Sequence, residues 1–166
     1  MRWDHESQAV GRIMVPLRGR GVREEVGGLY YRRSAISMEA TDDFTVEVFL
    51  RDMFRSTVKI GFAVAKRDVR DAVFDYYKHM CVLMISINML RDMGFDGKRV
   101  RCCDGVVSAT VRCVLNRGGR RKTTVAIYVG GVECDKKMWR DLSTEPVYAY
   151  GFAGCLENRV AFVDAW

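Results

Sequence analysis

Residues 66–93 read KRDVRDAVFDYYKHMCVLMISINMLRDM, and the period assigned to this stretch decides the fold. Apolar side chains fall at 69, 72, 73, 76, 77, 80, 83, 84, 87, 90 and 93. Steps of three and four place them on one stripe of an α-helix. Asp68 and Asp71 stand near its start, where the helix dipole favours negative charge, and Gly94 stands where a left-handed cap closes a helix. Met80 to Leu90 is apolar on most sides. The spacing therefore predicts one long, deeply buried central helix over residues 66–93.

Upstream, the period changes to two. Phe44, Val46, Val48 and Leu50 share one face of a strand, with Thr45, Glu47 and Arg51 on the other. Val58, Ile60, Phe62 and Val64 repeat the pattern, and the short Asp52–Ser56 link predicts an antiparallel hairpin. Gly28 to Ser37 reads as an earlier strand. Downstream, Val107, Ala109, Val111, Cys113 and Leu115 alternate, as do Val125, Ile127 and Val129. A glycine-bearing turn, 116–122, joins them. Val147 to Ala153 and Arg159 to Val163 read as two further strands, and Lys136 to Leu142 as a short helical turn. The expected architecture is α+β, with antiparallel strands before and after the central helix. The length fits a single domain spanning 1–166, with residues 1–9 as a mobile N-terminus.

The chain carries 27 Lys+Arg against 21 Asp+Glu, a formal net charge of +6. Two segments hold the excess. Residues 11–33 carry Arg12, Arg18, Arg20, Arg23, Arg32 and Arg33 against Glu24 and Glu25. Residues 98–122 carry Lys98, Arg99, Arg101, Arg112, Arg117, Arg120, Arg121 and Lys122 against Asp104 alone. The remainder is net acidic. Arginine provides a planar bidentate fork that suits phosphate and stacks on bases. Arg117, Arg120, Arg121 and Lys122 sit on one hairpin tip, where solvent or a phosphate backbone can meet them. Arg18, Arg20 and Arg23, with Arg32 and Arg33 beside Tyr30 and Tyr31, interleave charge with aromatic rings. Arg99 and Arg101 extend the second cluster.

Catalytic signatures are missing from the sequence. His5 and His79 are the two histidines, no CxxC or HxxxH spacing occurs, and neither GxxxxGK[ST] nor GxGxxG is present. Asp68, Asp71 and Asp75 lie a turn apart, but Arg67 and Arg70 between them indicate a salt-laced exposed face. No catalytic residue, metal ligand or cofactor is assigned. The six cysteines, without an apolar leader, are read as reduced thiols of an intracellular, non-secreted protein. Cys102 and Cys103 are expected as a partly buried strand pair. No run of about 18 apolar residues predicts a membrane span.

These observations rank the functions. A nucleic-acid-binding protein comes first, with RNA or single-stranded DNA as partner. A protein-interaction or structural component, a homo-oligomer for instance, comes second. Its support is a set of aromatics expected on exposed faces: Trp3, Trp139, Tyr148, Tyr150 and Trp166. An enzyme comes third.

Overall fold

A computed structural model describes residues 1–3, 33–64, 79–118, 122–140, 142, 144–153 and 158–163. The strands are β1 (Arg33–Ala40), β2 (Asp43–Arg51), β3 (Thr57–Ala63), β4 (Met80–Ser86), β5 (Val100–Cys103), β6 (Val106–Asn116), β7 (Thr124–Val129), β8 (Val132–Met138), β9 (Tyr148–Ala153) and β10 (Arg159–Phe162). Among the described residues a seven-residue helix, α1 (Ile87–Met93), follows β4. The strands form two antiparallel sheets, a four-stranded one in the order β1-β9-β3-β4 and a six-stranded one in the order β10-β2-β6-β7-β8, with β5 also paired to β6.

The two sheets share one core. Phe44, Val46, Val48 and Leu50 of β2 and Val107, Ala109 and Val111 of β6 come from the larger sheet. Val58, Ile60 and Phe62 of β3, with Leu83 and Ile85 of β4, come from the smaller. The Phe44 and Phe62 rings meet edge to face with centroids 5.2 Å apart, and Trp3 lies 4.2 Å from Phe162. Each large apolar side chain buried this way stabilises the fold by roughly 1.5–3 kcal/mol.

The expected α+β architecture with a long central helix is overturned. Residues 80–86 are extended and pair with β3 from Thr57↔Ser86 to Ala63↔Met80. From Met80 onward the helix within 66–93 is the seven residues of α1, and His79 ahead of β4 is also helical; residues 66–78, with Asp68, Asp71 and Asp75, lie outside the described residues. The periodicity misled for a physical reason. Cys81, Leu83 and Ile85 face the shared core, while Met80 and Val82 join Ile36, Ala63 and Tyr150 in a second buried cluster. A strand buried on both faces loses its two-residue alternation and reads like a buried helix. Of the end signals, Gly94 closes α1 at φ 80°, while Asp68 and Asp71 lie outside the described residues; α1 is opened by Ser86, whose Oγ accepts the N–H of Met89 at 3.1 Å.

The β2–β3 hairpin is corrected too. β2 pairs with β6 and β10, and β3 with β4 and β9, so residues 52–56 cross from one sheet to the other. β9 and β10 are likewise in different sheets. The helical turn expected from Lys136 is the end of β8, whose residues are nearly all exposed. The strand read from Gly28 is described from Arg33, as β1. The hairpin of β6 and β7 stands as expected, paired from Val111↔Val129 to Asn116↔Thr124.

Two tight turns complete the larger sheet. Asp104 and Gly105, at φ 52° and 75°, join β5 to β6, and Gly130 and Gly131, at φ 58° and 80°, join β7 to β8. Positive φ at both central residues marks the turn whose twist matches paired strands.

Candidate functional site

The outer face of the six-stranded sheet, turned away from the core, carries Arg101 and Arg112 of the second basic segment. Strand alternation sets this up. With Phe44, Val46 and Val48 inward, β2 turns Asp43, Thr45, Glu47, Phe49 and Arg51 outward; β6 turns out Ser108, Thr110, Arg112 and Val114. Register then builds rows across strands. Arg159 of β10 pairs with Phe49, Phe49 with Ser108, and Ser108 with Arg101 of β5. Further along β6, Thr45 pairs with Arg112, and Arg112 with Tyr128 of β7.

Each of these arginines that belongs to β5, β6 or the adjoining loops is oriented by a carboxylate. Arg101 bonds Glu47. Arg112 forks onto Asp43, with Nε 2.9 Å from Oδ1 and Nη2 on Oδ2. Arg117 forks onto Asp42 at 3.0 and 3.2 Å and donates to the Glu145 carbonyl at 3.2 Å. Arg99 Nε meets Asp96 Oδ2 at 3.0 Å. The guanidinium of Arg112 holds the Asp43 carboxyl below the usual carboxylate range, and Asp43 raises Arg112 in return. Asp96 Oδ1 also accepts the backbone N–H groups of Lys98 and Arg99 at 2.8 and 2.7 Å, which depresses its pKa and shapes the entry to β5.

These pairs are exposed on the arginine side, with Glu47 partly buried. Such pairs contribute only about 0.2–1 kcal/mol, so another anion can compete for the same forks. Arg51, Arg101, Arg112 and Arg159 share this face with Asp43, Glu47 and, on the β8 edge, Glu133, which leaves a positive surplus, and the Arg117–Asp42 pair stands at its end. The Arg159 guanidinium lies 5.2 Å over the Phe49 ring. Phe49 and Tyr128 are both partly exposed on this face.

Of the arginines singled out from the sequence, Arg18, Arg20, Arg23, Arg32, Arg120 and Arg121 lie outside the described residues. Arg33 begins β1 in the other sheet, away from the rest. Arg99, Arg101, Arg117 and Lys122 are described, and all four are exposed. Arg101 and the 117–122 loop lie at opposite ends of β6. From Ser108, opposite Arg101, to Asn116 is eight residues, or about 27 Å of strand. Arg117 does not project free at a hairpin tip; it is tied to Asp42. Phe49, Tyr128, Arg112 and Arg159 were not assigned to a site from the sequence. A signal existed for Phe49 and Tyr128, since each is an aromatic on the polar side of an alternating strand.

The aromatics expected on exposed faces are mostly buried: Trp3 is 1%, Trp139 2% and Tyr150 8% exposed. Tyr148 is half-buried, and Trp166 lies outside the described residues. Cys102 and Cys103 are on a strand, as expected, but both are exposed. Among the described residues no three His, Cys, Asp or Glu side chains converge as metal ligands. A depression of about 390 Å³ is lined by Met1, Asp43, Phe44, Thr45, Phe162 and Val163; its carboxylate, Asp43, is the one engaged by Arg112. No helix of the described residues is long and apolar enough to cross a membrane.

The chain matches no described protein family and no curated protein by sequence. The face is therefore read from its own chemistry.

Proposed function

We propose that this protein binds single-stranded nucleic acid, RNA or DNA, along the outer face of its six-stranded sheet, and that it does so without catalysis. The observation that carries the reading is the gathering of Arg101, Arg112 and Arg159 from separate strands onto one open face that also presents Phe49 and Tyr128, with Arg117 at the end of β6. An antiparallel sheet face with aromatics set among arginines suits a single strand, whose bases stack while its phosphates take the guanidinium forks. Asp42, Asp43 and Glu47 hold three of those forks extended in the absence of a ligand. The same carboxylates oppose a phosphate backbone, so moderate affinity is expected.

Phosphate contacts from Arg101, Arg112, Arg117 and Lys122 set the salt response. Four contacts to a single strand, at a slope of about −0.7 each, weaken binding about 50-fold between about 50 and 200 mM salt. The experiment is fluorescence anisotropy of labelled RNA and DNA oligonucleotides of one sequence across that range. Arg112→Ala and Lys122→Ala should each lower affinity and flatten the slope. Absence of any anisotropy change at the lowest salt, with folded protein in excess, refutes the reading.

A further inference from the structure

The link between β2 and β3 displays an aromatic ring that the core does not use. Phe54 is 79% exposed and Met53 beside it 51%. Its surroundings are rigidly tied. Asp52 N–H donates to the Gly105 carbonyl at 2.8 Å, Ser56 N–H to the Met53 carbonyl at 3.2 Å, and Ile87 N–H to the Ser56 carbonyl at 3.0 Å. Arg91 of α1 bonds the Asp52 carboxylate. Arg55 adopts φ 63°, a left-handed conformation uncommon outside glycine and asparagine. Its guanidinium stands 5.1 Å over the Phe54 ring.

The fold places this ring at one end of the arginine-bearing face. Arg51, the last residue of β2, turns outward opposite Val106, two positions along from the Phe49–Ser108 row that holds Arg101 and Arg159. A chain lying along β6 from the 117–122 loop passes Arg112, then Arg101, and leaves the sheet beside residues 52–56.

We propose that Phe54 is a stacking platform for one base of the bound strand, with Arg55 backing the ring and meeting the adjoining phosphate. This rests on the nucleic-acid reading above and adds the residue where the strand leaves the sheet. The geometry suits one planar group: a cation on one side of the ring and solvent on the other. A protein interface needs a contiguous surface of hundreds of Å² per partner. Among the described residues the other exposed large apolar side chains, Met38, Met84, Phe95, Val132 and Met138, belong to β1, β4, the segment after α1 and β8, and none of them to the 52–56 link.

The test uses the full chain and a labelled oligonucleotide at low salt. Phe54→Ala should weaken binding about 5- to 100-fold, the effect of losing one stacked base. Its salt dependence should stay that of the wild type, since no charge is removed. Phe54→Trp should retain affinity and show indole quenching on binding that the wild type lacks. An abasic site at the position Phe54 stacks should erase the difference between Phe54→Ala and wild type. Wild-type affinity in Phe54→Ala, or oligonucleotide binding without quenching in Phe54→Trp, overturns this inference and leaves the parent reading standing. Quenching of Phe54→Trp by phosphatidylserine vesicles but not by oligonucleotide overturns it in favour of a membrane-inserting tip. If the wild type binds no oligonucleotide, the parent reading falls and this one with it.

Discussion

Asn158 donates its side-chain amide to Ser56 Oγ at 2.9 Å, and neither residue is exposed beyond 1%. The same amide donates to the Thr57 carbonyl at 3.2 Å, and its oxygen accepts the Arg51 N–H at 2.8 Å. One side chain, just ahead of β10, therefore ties the end of β2, the crossing between sheets and the start of β3. Asn158→Ala removes the side-chain acceptor of the part-buried Arg51 N–H and the donor to the buried Ser56 Oγ and the part-buried Thr57 carbonyl. It should cost about 2–4 kcal/mol, whereas Ser56→Ala should cost about 1 kcal/mol. Urea unfolding measures both, and equal small losses would mean the crossing is held by something else.

Two glycines are required by close approach. A Cβ on Gly61 would lie 2.1 Å from the Cys81 carbonyl oxygen and 2.7 Å from the Val82 Cα, both backbone of the neighbouring strand. On Gly151 it would lie 2.7 Å from the Trp3 ring. Backbone cannot yield without opening the β3–β4 ladder, while an indole can shift. Gly61→Ala should therefore cost about 3 kcal/mol or more and Gly151→Ala about 1–3 kcal/mol. Thermal unfolding gives the order, and Gly151→Ala should also move the Trp3 fluorescence maximum. The reverse order refutes the argument.

Strands were legible where one face meets the core and the other meets water. β2, β6 and β7 alternate for that reason, and their boundaries follow from the residues alone. β4 was illegible because its two faces enter two clusters. β5 was read only as a Cys102–Cys103 strand pair without a partner, and β8 was passed over, because they bury little: Arg101, Cys102 and Cys103 are exposed, and β8 is an edge strand of charges. Their turns, Asp104-Gly105 and Gly130-Gly131, are strong hairpin signals that would have recovered both. Which strands share a sheet was not in the pattern, since alternation fixes a face and not a partner. For the candidate site, the basic segment 98–122 was visible as charge. That Asp42, Asp43 and Glu47 sit across from it depends on register between β2 and β6, which sequence separation hides.

The two indoles buried among the described residues differ in one bond. Trp3 Nε1 donates to the Val160 carbonyl at 3.1 Å, whereas Trp139 Nε1 is buried with no acceptor among the described residues. Replacing either by Phe removes similar volume. Trp3→Phe also orphans a carbonyl, while Trp139→Phe removes a donor that was already unsatisfied. Trp3→Phe should be the more destabilising by about 1–3 kcal/mol. Chemical denaturation of the two variants side by side decides it, and equal costs would show that Trp139 finds a partner in solution.

The cysteines divide by burial, and the division has a pH signature. Desolvation pushes the Cys81 thiol up to about 11 from an ordinary 9.0, and the more deeply buried Cys113 is raised well above it. The unfolded chain ionises these thiols near pH 9 and the folded protein does so only at higher pH. Their contribution to stability is thus fully present below pH 9 and falls as pH rises above it, that of Cys81 through about 11. The urea midpoint should fall across that window, and it should fall less in a Cys81→Ala, Cys113→Ala double variant. The same burial sets reactivity, because the thiolate is the nucleophile. At pH 8, iodoacetamide should label exposed Cys102 and Cys103 in the native protein, and Cys81 and Cys113 only after urea is added. Native labelling of Cys81 at a rate matching Cys102, read by peptide mass mapping, would contradict the packing of β4 against β3.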